Sequence, residues 1–188
     1  MTELEQRIRL ETLAWVERVV VGLNLCPFAR APLEGGRLRV AVTTCEDPRE
    51  LLTIVDDELD ALLRHDSAEL ETTLIVHPNC LIDFDEYNDF LDAADELLEL
   101  RQLAGIVQIA SFHPDYRFAD AAPDDQANYT NRSPYPMLHL LREDDISKAV
   151  DSHPDIESIP AANIAKLRAM SLEQLRALWR GSLVFDQF

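Results

Sequence analysis

The sequence predicts an α/β fold: an N-terminal helix, a β-α-β-α-β core with a parallel or ferredoxin-like sheet, and further helices toward the C-terminus. Three observations lead there. Leu38, Val40 and Val42 alternate with Arg39, Ala41 and Thr43, and two other short runs, Thr72 to Val76 and Ile106 to Phe112, combine β-branched or apolar residues with a closing His-Pro pair. Between these runs lie two stretches with apolar residues every three or four positions, each opened by an aspartate suited to cap a helix. The 188 residues, 47% hydrophobic and 28% charged, fit one α/β domain over 1–188 that can bury a core without metal or disulfide.

Taken in order, Leu4, Ile8, Leu13, Val16, Val20 and Leu23 recur at helical spacing and predict an amphipathic helix over 3–22, ending before Asn24-Leu25-Cys26-Pro27-Phe28. The first strand is expected at about 37–44. Asp47-Pro48-Arg49-Glu50 then supplies a cap, a first-turn proline and an acid, with Leu51, Val55, Leu59 and Leu62 along one face. After the strand at 72–76, Asp83-Phe84-Asp85-Glu86 starts another helix carrying Phe84, Tyr87, Leu91, Ala94 and Leu98, stopped by Gly105. Helical crossovers of this length join parallel strands, so the three strands are expected to point the same way. In the ferredoxin-like alternative an antiparallel strand completes the sheet, with Tyr116-Arg117-Phe118 as the short candidate. The segment from Ala119 to Pro136 reads as a long loop, a length usually reserved for functional or disordered segments. Short helices are expected to start near Pro136, Asp145, Pro160 and Ser171.

Composition excludes several classes of function. Seventeen basic against 35 acidic residues give a net charge of −18, which repels phosphate backbones and anionic lipid surfaces, so neither nucleic acid nor membrane is an expected partner. The five glycines form no G-x-G-x-x-G, and Lys148 and Lys166, the only lysines, leave no phosphate-loop motif. Cys26, Cys45 and Cys80 are odd in number and widely spaced, encoding neither a disulfide framework nor a zinc ribbon. With an acidic N-terminus and no long apolar run, the chain reads as cytoplasmic. No cofactor and no oligomeric state is read from it.

If the strands are parallel, Cys45, His77 and His113 gather at their carboxyl ends, where ligands bind in open α/β sheets. Two imidazoles and a thiolate suit a late first-row metal, which makes these three the metal-ligand candidates. Alternatively, each histidine is a strand-end turn residue bonded to a carbonyl. The densest polar stretch follows: His113-Pro114-Asp115-Tyr116-Arg117, then Asn128 to Pro136, then His139, Arg142 and Glu143. In so acidic a chain, Arg117, Arg132 and Arg142 form a cationic cluster whose guanidinium forks suit carboxylate or phosphate. Arg132, held between Asn131 and Ser133-Pro134, is expected to point inward toward His113 or His139, with Glu143, Asp115 or a bound anion as its partner. Equally, such arginines pair with surplus acids to pin a loop. Cys26, just past a helix C-terminus, is expected to be buried rather than reactive.

Gly22 to Ala29, Glu71 to Leu74, Gln108 to Phe118 and Tyr129 to Glu143 together resemble the bacterial DUF1415 family over nearly the whole chain. The resemblance implies a bacterial cytoplasmic protein and carries no activity, cofactor or catalytic residue with it. From the residues themselves, the leading expectation is a small enzyme acting on a small anionic substrate. His113, His77 and His139 would be its acid/base or metal-binding groups, and Arg117, Asn131, Arg132, Ser133, Arg142 and Glu143 would hold the substrate. The other expectation is a non-catalytic module binding an anionic metabolite or an acidic peptide through the same arginines.

Overall fold

The computed structural model describes residues 1–152 and 156–180. Helix α1, Glu3–Trp15, is opened by a reciprocal cap in which the Thr2 hydroxyl accepts from the Glu5 N–H and the Glu5 carboxylate accepts from the Thr2 N–H. The helix widens over Val16–Val21, where the Gly22 N–H reaches back five residues to the Glu17 carbonyl at 2.9 Å. Only glycine fits at position 22, because a Cβ there would stand 2.2 Å from the Arg18 carbonyl oxygen. The short helix α2, Arg30–Glu34, leads into β1, Leu38–Val42.

Asp47 caps α3, Pro48–Arg64, and Asp83 caps α4, Phe84–Leu100, as their first-turn sequences predict. Strands β2, Thr72–Val76, and β3, Val107–Phe112, also fall where expected. After the long loop and a tight helical turn at Gln126–Thr130 come β4, Met137–Arg142, and helices α5, Glu143–Ser152, α6, Ile159–Arg168, and α7, Leu172–Arg180.

The segment after Pro136 is a strand, not the expected helix, and it is the strand that completes the sheet in place of residues 116–118. Strand order is β1-β2-β4-β3, with β1 and β2 parallel and β4 antiparallel to both β2 and β3. β1, β2 and β3 therefore share one direction, as the crossovers require, and β4 runs back between the last two. A short apolar run reads the same as strand or helix, and β4 is apolar apart from His139 and Arg142 because both of its faces are covered. Leu138 and Leu140 join Ile75 and Val107 against α3 and α4, while Met137 joins Val40, Leu74 and Val76 against α1, Val16–Val21, α6 and α7. No helix among the described residues is long and apolar enough to cross a membrane.

Candidate functional site

His77 and His113 follow directly on β2 and β3, so the shared strand direction brings them to the same sheet edge. Both are fully buried, and they flank the Tyr87 ring from α4, with centroids 5.9 and 5.0 Å away. Tyr87 ties this edge together: its hydroxyl donates to the Met137 carbonyl at 2.8 Å and accepts from the Phe112 N–H at 3.0 Å. His113 accepts at Nδ1 from the Asp115 N–H, which leaves Nε2 to donate to the Leu81 carbonyl. The ring is thus a neutral imidazole with both nitrogens engaged. His77 donates from Nδ1 to the Cys80 carbonyl at 2.9 Å, and its buried Nε2 has no partner among the described residues. Burial holds the His77 imidazole down at about 4, with His113 adding to the depression, and burial likewise lowers His113.

Cys45 packs in the same core beside Cys80, whose thiol is pushed up to about 12 by burial and by Cys45. Among the described residues, no three His, Cys, Asp or Glu side chains stand together as a metal site, so Cys45, His77 and His113 do not form one.

The loop side chains hold the loop itself. Asn131 donates to the Ser111 carbonyl at 3.0 Å, and the Ser133 hydroxyl donates to the Tyr135 carbonyl at 2.6 Å. Asn128, fully buried, accepts from the Phe118 N–H and donates to the Ala122 carbonyl. Arg132 does not point to His113 or His139. It donates to the Tyr116 and Pro123 carbonyls and lies 4.7 Å over the Tyr129 ring, bracing the loop against itself. Arg117 pairs with Asp85 on α4 at 2.7 Å. Arg142 donates to the Leu62, His65 and Leu70 carbonyls, tying β4 to the end of α3. Glu143 starts α5, its N–H bonded to the Ile106 carbonyl. The three arginines thus stand apart, each on its own partners, and do not converge on one anion.

His139 sits elsewhere, at the centre of β4 on the face turned toward α1. A cavity of about 360 Å³ opens there. Its floor is the sheet, with Thr72, Leu74, Ala110, Phe112, His139 and Leu141; its roof is Trp15, Val16 and Val20 with Cys26, Phe28 and Pro32 from the segment after the widened helix. Asn163 on α6 steadies that segment by donating to the Leu25 carbonyl at 2.6 Å. Wide helical turns commonly occur at functional sites, and here one forms part of a cavity wall. Glu71, Gln108, Arg142 and Asp145 also border the space.

The polar chemistry inside the cavity is small and well defined. The Thr72 hydroxyl lies 2.7 Å from the Leu140 carbonyl and 2.6 Å from His139 Nε2. A carbonyl only accepts, so the hydroxyl proton goes to Leu140, and His139 must donate to Thr72 from a protonated Nε2. Nδ1 is then a bare acceptor, with no partner among the described residues. Burial holds this imidazole at about 4, so it is neutral at pH 7. Trp15, 2% exposed and edge-on to Phe112 at 5.5 Å, carries an indole N–H that likewise lacks a partner among the described residues. Cys26 is half-buried on the cavity wall rather than fully buried as expected, and burial raises its thiol, consistent with its expected inertness.

Of the candidate site residues, the structure therefore places His139 and Arg142 at the cavity and His77 with His113 across the sheet from it. Thr72, Trp15 and the wall formed around Cys26 escape sequence reasoning. Trp15 and Thr72 read as ordinary core positions, and the sign that could have found them was the concentration of family-like residues around Cys26 with no evident structural need.

No curated protein and no solved structure matches this chain. The model of the family described as protein of unknown function (DUF1415) matches residues 7–177, and with that the chain belongs to the DUF1415 family.

Proposed function

We propose that this protein binds a small, uncharged and mainly apolar molecule in the cavity between the sheet and α1. The observation that carries this reading is the cavity itself: about 360 Å³, walled by Trp15, Val16, Val20, Leu74, Phe112 and Leu141, with a few polar atoms at fixed positions. That volume falls within the range of small-molecule sites, roughly 300–1,000 Å³, and such sites combine apolar walls with few polar groups. An anion fits it less well, because Glu71 and Asp145 border the space and the guanidinium of Arg142 is already bonded to carbonyls. Proton transfer is also disfavoured: an imidazole held at about 4 is a weak base at neutral pH. A binding role therefore takes precedence over an acid/base enzyme acting on an anion.

The test is thermal unfolding, with Trp fluorescence alongside, in the presence of para-butyltoluene on one side and phosphate or benzoate on the other. The apolar probe should raise the unfolding temperature and perturb Trp15 emission, since a ligand that binds only the folded state stabilises it. Stabilisation by the anions alone would overturn the reading.

A further inference from the structure

The polar atoms of the cavity specify more than apolarity. Thr72 is committed to the Leu140 carbonyl, so the protonated nitrogen of His139 is fixed by the backbone of its own strand rather than by whatever occupies the cavity. What His139 turns outward is a lone pair. It therefore rewards a donor and leaves an acceptor unmatched. Trp15 contributes its ring to the roof; its indole N–H is itself wholly buried and lies out of reach from the cavity. Both rings border the same space and both lie against Phe112, at centroid distances of 5.5 Å for Trp15 and 6.1 Å for His139.

An acceptor turned away from bulk water and left without a partner costs free energy until something bonds to it. A carboxylate cannot answer the His139 lone pair, since it has no proton to give. An ammonium answers it, but the two carboxylates that border the space are already paired, Glu71 with Arg37 and Asp145 with Lys148, and the apolar walls do not compensate its lost hydration. A hydroxyl donates through its proton without carrying charge.

Building on the reading of the cavity as an apolar site, we propose that its ligand is an alcohol or phenol: an apolar body whose hydroxyl donates to Nδ1 of His139. Thr72 is a positioning residue here. It touches no ligand and acts by fixing which nitrogen of His139 is bare.

The experiment compares para-butylphenol, para-butylanisole and para-butyltoluene by calorimetry on the full chain at pH 7. The phenol should bind about ten to a hundred times more tightly than the ether or the hydrocarbon, the discrimination expected when a buried polar group is left unpaired by the wrong ligand. In His139→Phe the walls remain apolar and the lone pair is gone, so the three probes should bind within about threefold of one another. Equal binding of all three to the unmodified protein would overturn the hydroxyl assignment and leave the apolar site standing. Failure of all three to bind would overturn both. Should His139→Phe fold poorly, the ring ¹⁵N spectrum of the unmodified protein supplies the second measurement: the phenol, and not the ether, should shift the Nδ1 resonance of His139, and an unmoved resonance would count against the proposal.

Discussion

The two polar groups built around histidine in this molecule differ in what their side chains are left to do. Around Tyr87, where His77 and His113 meet the long loop, the tyrosine hydroxyl bonds two main-chain groups, His113 is bonded at both nitrogens while His77 keeps an Nε2 with no partner among the described residues, and Asn128, Asn131, Arg132 and Ser133 reach carbonyls and N–H groups nearby. Around His139, on the other face of the same sheet, far fewer polar groups are present, and the Nδ1 of His139 borders a cavity with no protein partner among the described residues. Density of polar residues thus marks the place where an irregular segment must be held in shape. Unmatched hydrogen-bonding capacity beside a cavity marks the place where another molecule is recognised.

The largest effect expected to probe this contrast is on stability below neutral pH. An unfolded histidine takes up a proton near 6.5, whereas folded His77 and His139 do so only near 4. Between those values the unfolded chain holds more protons, so the stability these residues contribute is complete above about pH 6.5 and is lost as pH falls toward 4. Each ring accounts for up to about 3 kcal/mol of that loss. Urea titrations from pH 7.5 to 4 should show the decline, and His139→Phe should remove roughly half of it. A profile that stays flat to pH 4.5 would mean that neither ring is kept neutral by burial.

Next in size is Tyr87→Phe. It strands the Phe112 N–H and the Met137 carbonyl in the core, and should cost about 2–4 kcal/mol in chemical unfolding while leaving probe binding at the cavity unchanged. Arg132→Ala should have a smaller effect of the same kind, about 1–2 kcal/mol, from the loss of two carbonyl bonds and the stacking on Tyr129. Loss of probe binding in either variant would erase the distinction between the two regions. Ala110→Leu is the converse case: it extends a side chain from the cavity floor, so stability should change by less than about 1 kcal/mol while binding of para-butylphenol falls at least tenfold.

Much of the fold is legible in the sequence because its signals are local. Asp47, Asp83 and Ser171 with Gln174 cap helices where their neighbours say they should, and the alternation of Leu38 to Val42 identifies β1. The order of the sheet is not local. Met137 to Arg142 lies between β2 and β3 and is covered on both faces, so its apolar run carries no period of two, and nothing within six residues separates a central strand from a helix turn. His77 and His113 are brought together as the strand direction predicts, but whether their nitrogens are free depends on Leu81, Cys80 and Asp115, whose backbone positions no spacing rule gives. The cavity is harder still to foresee. Trp15, Thr72 and His139 come from three elements far apart in the chain, and the bare Nδ1 of His139 follows from a bond that Thr72 makes to the other ring nitrogen.

The contrast between the two regions can be tested in one spectrum. In ¹⁵N-detected imidazole correlations at pH 7, with His139 assigned by its disappearance in His139→Phe, the ring should show a protonated Nε2 and a bare Nδ1. Addition of para-butylphenol should shift the Nδ1 resonance of His139 and leave those of His77 and His113 where they were. A proton on Nδ1, or a ligand-induced shift at His77 or His113 with His139 unmoved, would contradict the account and return the site to the carboxyl edge of the sheet.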